Sequence, residues 1–318
     1  MSAGLGGRVV VLAGGLSHER DVSLRSGRRV ADALRGVGVE VEERDVDATL
    51  LPSLVADRPV AVFPVLHGAA GEDGAVRDVL GALRIPYVGA PPAACRIAYD
   101  KPVAKTVVRS FGVETPEAVA LPHSVFRELG APAVLAAVEA QLGLPLVVKP
   151  TRGGSALGAS VVRTADELPG AMVGCFAYGD TALLERHVSG TEVAVSVIDV
   201  GDGLVTLPVA EIVPDSGFYD YAARYNAGAT EFFVPARLTD AQADAASKVA
   251  LQAHEALGLR DLSRSDLIIG TDGTIWFLEV NVAPGMTETS LLPQSCTAAG
   301  LDLGELCLAL LRNTIDRG

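Results

Sequence analysis

The sequence predicts a mixed chain in which an open α/β sheet at the N-terminus is followed by antiparallel α+β units. Three observations carry this. The first ninety residues alternate strand-like and helix-like segments, in the order β-α-β-β-α. From about residue 113 short strand-like runs dominate. Near the end, residues 266–281, "DLIIGTDGTIWFLEVN", read as a hairpin. Alternating strands and helices build open sheets, whereas closely spaced short strands build antiparallel ones.

Taken in order, "RVVVLAGG" is a buried strand, and "SLRSGRRVADALRGVG" places Leu24, Ala31 and Leu34 at helical spacing before a glycine stop. "VEVEERDV" alternates as a strand, "PVAVFPVLHG" is another, and "GAVRDVLGALRIP" is a helix ended by Pro86. Open sheets bind ligands beyond the carboxyl ends of their strands, which points to the loops at 14–23 and 67–74. "GAPPAAC" reads as a linker leading to a helix around 100–111. The strands that follow are "LPLVVKP", "GASVVRT", "ALLERHV", "TEVAVSVIDV" and "LVTLPVAEIVP". Residues 215–231, "DSGFYDYAARYNAGATE", form a long, weakly periodic segment, and segments of that kind are usually functional or disordered. A helix at 239–257, the hairpin and a helix at about 302–316 complete the chain.

The hairpin carries the first chemical signal. Asp272-Gly273 suits a two-residue type I′ turn, which would pair Thr271 with Thr274, Ile269 with Trp276, Ile268 with Phe277 and Asp266 with Glu279. Opposed like charges destabilise a sheet, and desolvation adds to the cost. A cation reverses that sign. With Asn281 on the face of Glu279, the donors are all oxygen, which suits Mg²⁺ better than zinc. The hairpin alone leaves open a cation site and a solvated sheet end.

Composition narrows the classes. A chain of 318 residues with 49% hydrophobic content can bury sizeable cores, in about two domains of ordinary size. Its net charge of −13 argues against nucleic acid or an anionic membrane as partner. Cys95, Cys175, Cys296 and Cys307 are scattered without metal spacing and read as reduced thiols. The N-terminus reads as a strand with no signal peptide, and no window reaches the length of a membrane span. A cytoplasmic location is expected. "KPTRGGSALG" at 149–158 joins two strands and could cradle phosphate through its backbone N–H groups. It is not a Walker A loop, and an ordinary Gly-rich turn stays open. Lys149, at the end of "LVVK", is costly to bury without an anion. "GGLSHERDVS" lacks G-x-G-x-x-G, which weighs against a dinucleotide site. Glu19 in it is either a helix-start acid or a partner for an amine.

The segments "GGLSHERDVS", "HGAAGEDG", "DK" at 100–101, "VVKP", "YDYAARY", "RSD" and "EVNVAPGMT…S" occur in one order. On these motifs the chain resembles the D-alanine–D-alanine ligases of the ATP-grasp superfamily, from residue 8 to about 312. The resemblance implies an ATP-grasp fold with an N-terminal open α/β unit (1–95), a central antiparallel α+β unit (96–190) and a C-terminal α+β unit (191–318), with residues 215–231 as a lid. It implies ATP between two antiparallel sheets, met by Lys101, Lys149, Glu185, Arg186, the Val188 backbone and Glu192. It implies Mg²⁺, two ions with Mn²⁺ able to substitute, on Asp266, Glu279 and Asn281. Glu19, Ser155 and Tyr225 correspond to groups that hold the first D-amino acid, with His67 nearby. Arg264 and the Gly285 N–H correspond to oxyanion donors, and Ser290 and the Leu291 N–H to a clamp on the second carboxylate. The implied activity joins two D-alanines through an acyl phosphate for peptidoglycan synthesis, in a homodimer formed through the N-terminal unit. The chain also departs from the pattern. The family usually has Glu at Gly153, Ser at Ala156, Glu at Ala222, Lys at Arg224 and Thr after Asn281, where this chain has Val282-Ala283. Arg224 sits where phosphate and the second substrate meet, so the second substrate could instead be D-serine, D-lactate or another amine. A nucleotide-binding protein without catalysis is the rival from another class; the intact Asp266, Glu279, Asn281 and Arg264 set weighs against it.

Overall fold

A computed structural model describes residues 4–226 and 228–317, apart from the side chains of Ala70 and Tyr225. The N-terminal elements are β1 (Val9–Leu12), α1 (Arg20–Gly36), β2 (Val41–Arg44), α2 (Leu50–Ala56), β3 (Ala61–Pro64), α3 (Ala69–Glu72) and α4 (Ala75–Ala82). Their three strands pair in parallel in the order β2-β1-β3. A helix, α2, stands where two strands were expected to follow one another. That insertion restores the crossover helix a parallel pair requires. Gly27 lets α1 cross close over the end of β1, since a Cβ there would lie 2.3 Å from the Cβ of Ala13.

The chain continues through α5 (Pro92–Tyr99), α6 (Lys101–Ser110), β4 (Ala118–Pro122), α7 (His123–Leu129), α8 (Ala131–Leu142), β5 (Leu146–Pro150), β6 (Ser160–Val162), α9 (Leu168–Phe176) and β7 (Thr181–Arg186). The expected linker "GAPPAAC" therefore runs into a helix: Pro91 is the N-cap of α5 and Pro92 opens it, where a missing N–H costs nothing. Strands β4, β7, β5 and β6 form a four-stranded antiparallel sheet in that order.

The remaining elements are β8 (Gly190–Asp199), β9 (Leu204–Thr206), β10 (Ala210–Pro214), α10 (Tyr221–Tyr225), β11 (Thr230–Phe233), α11 (Asp240–Ala256), β12 (Leu262–Gly270), β13 (Ile275–Asn281), α12 (Leu291–Ala298) and α13 (Leu303–Arg317). Strands order as β11-β10-β8-β12-β13, with β9 beside β8. The N-terminus of α11 is a capping box between Thr239 and Gln242. The fold class is thus mixed α/β, one parallel and two antiparallel sheets.

Packing crosses the boundaries expected at 95 and 190. Helices α5 and α6 contribute Ala94, Cys95, Ala104 and Val108 to the core of the large antiparallel sheet. Helix α13 places Cys307, Leu310 and Leu311 against Val9, Val30 and Phe63 of the N-terminal sheet. The small sheet keeps a core of its own with α8 and α9.

The hairpin corrects its expected register. Asp266 does pair with Glu279, but Ile269 pairs with Ile275, Ile268 with Trp276 and Leu267 with Phe277. The connection is a three-residue loop, closed by Gly273 N–H to Gly270 C=O at 2.9 Å and Gly270 N–H to Thr274 C=O at 2.8 Å. Only Gly273 takes positive φ, 86°, as expected of a three-residue loop ending in a left-handed residue rather than a type I′ turn. The slip of one residue is reversed by a bulge on β13, where Leu278 has no partner opposite.

Candidate active site

Two adjoining cavities carry the polar chemistry. The longer, about 520 Å³, lies between the two antiparallel sheets; the smaller, about 130 Å³, lies between the hairpin and the N-terminal loops. Lys101, Gly153, Gly154, Tyr219, Arg224 and Glu279 line both, so one cavity opens into the other there.

The floor of the longer cavity is the hairpin. Alternation puts Ile268 and Asp266 of β12 on that face, and the bulge brings Leu278 and Glu279 of β13 to it together. Its opposite wall comes from β5 and β7. Lys149 Nζ lies 2.5 Å from Glu185 Oε1, and Lys105 Nζ lies 3.0 Å from Glu185 Oε2. Val188 lines the cavity at the β7–β8 connection, beside Glu192 of β8. Burial pushes the Glu192 carboxyl up to about 7 against the pull of Arg224. Arg186 also lines this wall, but its guanidinium turns outward to Glu117 at 3.0 Å. Lys101 Nζ donates to the Gly153 carbonyl at 2.7 Å and lies 3.3 Å from Glu279. The 149–158 loop turns through positive φ at Gly153, Ser155 and Ala156.

In the smaller cavity, Glu19 accepts a hydrogen bond from the Ser155 hydroxyl, joining the N-terminal unit to the Gly-rich loop. His67 is 4% exposed, with Nδ1 3.0 Å from the Ala283 carbonyl and Nε2 3.3 Å from Ser26 Oγ. Burial lowers it to about 4, so it is a neutral ring whose Nδ1–H faces the carbonyl. Gly285 is fixed by crowding: a Cβ there would lie 2.6 Å from Ser290 Oγ. Ser290 is the N-cap of α12 and accepts from Thr287 N–H at 3.0 Å, with Leu291 opening the helix. Above the junction, Asp220 caps α10 by accepting from Ala223 N–H at 2.8 Å. Arg224 of α10 stacks 4.0 Å over the Tyr219 ring, and its buried Nε has no hydrogen-bond partner among the described residues. The Tyr225 side chain lies outside the described residues.

Electrostatics concentrate at the metal candidates. Arg264 holds Asp266 through two parallel bonds, Nε to Oδ1 at 2.7 Å and Nη2 to Oδ2 at 2.9 Å. Burial would raise Glu279, but Lys101, Lys149, Arg224 and Arg264 hold it down to about 2. Asn281 Oδ1 accepts from Ala283 N–H at 2.8 Å. Among the described residues no three His, Cys, Asp or Glu gather as a metal site, so an ion here needs the Asn281 amide oxygen as its third donor. Two carboxylates facing each other beside that amide form an oxygen set that fits Mg²⁺.

The sequence pointed to neither Glu72 nor Lys105. Glu72 lies inside the quoted "HGAAGEDG", 7% exposed, and accepts from Gly68 N–H at 2.9 Å. Burial first, then Glu19, pushes its carboxyl up to about 8. Among the described residues no helix is long and apolar enough to cross a membrane, and all four cysteines are buried and free.

The chain is similar to known proteins along its whole length. Residues 107–312 match the family model described as D-ala D-ala ligase C-terminus. A D-alanine–D-alanine ligase of Anaeromyxobacter dehalogenans is 42% identical over 98% of both chains, and one of Pseudomonas fluorescens is 40% identical over 98% of this chain and 92% of that one. Among solved structures, the VanG D-Ala:D-Ser ligase from Enterococcus faecalis superposes with a TM-score of 0.83 at 27% identity, over 96% of this chain and 99% of that one. The D-alanine–D-alanine ligase of Bacillus anthracis complexed with ATP gives 0.78 at 29% identity, over 98% and 97%.

Proposed function

The chain belongs to the D-alanine–D-alanine ligase family, and from that premise we propose that it joins two D-alanines at the expense of ATP, supplying the dipeptide of peptidoglycan precursors in the cytoplasm. The observation that carries this reading is the meeting of the two cavities at Lys101, Gly153, Arg224 and Glu279. A nucleotide lying along the longer cavity would bring its terminal phosphate to that junction, where a carboxylate held in the smaller cavity could receive it.

The γ-phosphoryl passes to the carboxylate oxygen of the first D-alanine, releasing ADP and leaving an acyl phosphate. The amine of the second D-alanine attacks the acyl carbon, and the tetrahedral intermediate expels phosphate as the amide forms. Lys101 and Lys149 hold phosphate oxygens, while Glu192 and the β7–β8 connection hold the nucleoside end. Glu19, fixed by Ser155, takes the ammonium of the first substrate, beside the neutral His67. Arg264 and the Gly285 N–H face the developing oxyanion, and such donors are effective because they are oriented in advance. Ser290 and the Leu291 N–H hold the second carboxylate. Asp266, Glu279 and Asn281 would hold Mg²⁺, which would supply charge neutralisation for the phosphates. Residues 215–226 and 228–231 close as a lid that keeps water from the acyl phosphate, and two chains associate through their N-terminal units.

The second substrate is set around Arg224. Its guanidinium keeps a positive charge but presents a planar fork in place of an ammonium group. Phosphate release from ATP and D-alanine, measured with added D-alanine, D-serine or D-lactate, tests the assignment. D-Alanine is expected to give the highest rate. A chain stimulated by D-serine or D-lactate and not by a second D-alanine would be a ligase of different product.

A further inference from the structure

Lys105 is a buried cation with no part in the steps above. It stands on α6, 3% exposed, and donates to the Phe277 carbonyl of β13 at 3.3 Å as well as pairing with Glu185. Glu185 is itself 2% exposed. One carboxylate of the small sheet therefore bridges two ammonium groups, Lys149 on the cavity side and Lys105 behind it. Burial lowers Lys105 to about 8, with Glu185 opposing the fall, so it is charged near neutral pH.

The charges explain the arrangement. Attraction between buried opposite charges is strong, and a lone Glu185–Lys149 pair would be neutral and self-contained. Lys149 could then approach an anion only by giving up part of that attraction. A second ammonium on the far carboxylate oxygen takes up half of the demand, and the trio carries one net positive charge facing the cavity.

We propose that Lys105 is a positioning residue for nucleotide binding: by sharing Glu185 and bracing it from α6, it leaves Lys149 free to engage a phosphate of ATP. This rests on the ATP reading above. The test is calorimetric binding of Mg²⁺–ADP and of a Mg²⁺-bound non-hydrolysable ATP analogue to the full chain, alongside its Tm. Lys105→Met is expected to weaken binding roughly tenfold. In a Glu185→Gln background the same change is expected to matter by less than about twofold, because the charge that Lys105 balances is gone. Should Lys105→Met fail to fold, Lys105→Gln keeps a donor for the Phe277 carbonyl without the charge, and the same loss is expected. Affinity unchanged by either variant, or lowered equally in both backgrounds, overturns the proposal even where Tm falls. A wild-type chain that binds neither nucleotide overturns the ATP reading, and this proposal with it.

Discussion

Arg264 and Asp266 lie two residues apart on one face of β12, and each is the other's closest counter-charge. Asp266 thus has two demands on its oxygens, the guanidinium seen here and the ion proposed for it. Asp266→Asn keeps the shape and removes the charge, leaving a buried Arg264 without its partner. Turnover is expected to fall by at least about 10²-fold and stability by roughly 3 kcal/mol. Steady-state rates over a Mg²⁺ titration check the first, and urea unfolding the second. A variant that turns over normally would remove the carboxylate from the metal site. The buried titratable groups give a pH signature of opposite signs. His67 is depressed to about 4, so its contribution to stability is complete above its unfolded value near 6.5 and is lost as pH falls through 4. Glu72 is raised to about 8, so its contribution is present below about 4.5 and lost as pH rises through 8. Tm of His67→Gln should therefore fall less than wild type between pH 6.5 and 4, and Tm of Glu72→Gln should fall less as pH rises from 5 to 8. His254, also buried and lowered to about 4, keeps part of the acid limb in the first variant.

At the scale of the element, the lid and the hairpin carry separate expectations. Helix α10 has five residues and a single side-chain cap, Asp220. Asp220→Ala should cost about 1 kcal/mol of local order, and loosening the proposed lid should then admit water to the proposed acyl phosphate. Phosphate released per dipeptide formed should then rise above one; a ratio that stays at one counts against a water-excluding lid. Gly273→Ala in the hairpin should cost roughly 1 kcal/mol, because φ is 86° although no atom lies within 4 Å of the added Cβ. A Tm lower by a few degrees, with the nucleotide KM unchanged, is expected. The same hairpin shows what a sequence can and cannot reveal. The opposition of Asp266 and Glu279 was legible from alternation, yet it holds through two offsetting departures, a longer turn and a bulge at Leu278. Alternation cannot see a bulge, so Phe277 was paired with Ile268 when it belongs to the core opposite Leu267. Prolines misled in a second way. Pro92 of α5 lies in the first helical turn, where proline is tolerated, but in sequence "GAPPAAC" reads as a linker.

Across the whole molecule, what escaped the sequence is mostly contact between distant segments. Glu72 and Lys105 are ordinary surface types until the fold buries them, and nothing local says that α13 will pack on α1 and β3. The residue that secures this long-range arrangement is Asp261, at the start of β12. It is 0% exposed, at φ 65°, and it gathers three parts of the chain. Its Oδ2 accepts from Gly89 N–H at 2.7 Å and from Arg317 Nη2 at 2.9 Å, and its Oδ1 lies 2.7 Å from Arg317 Nη1. Gly89 follows the N-terminal sheet, and Arg317 ends α13. The carboxylate thus ties the N-terminal unit, the large sheet and the C-terminal helix at one point. Asp261→Asn isolates the charge, since asparagine tolerates positive φ as well as aspartate does. Removing one partner of a buried pair costs roughly 3–5 kcal/mol, so a large drop in Tm is expected, with early proteolytic release of α13. Arg317→Met leaves the buried acid with Arg260 Nε, 3.6 Å from its Oδ2, as its remaining counter-charge, and should cost less than the loss of the carboxylate. The double variant should cost less than the two single losses combined, because neither charge is then stranded. Additive losses in thermal unfolding would mean that Asp261 and Arg317 act independently, and the tie would then rest on the contacts of Asp261 with Gly89, Arg260 and Thr314.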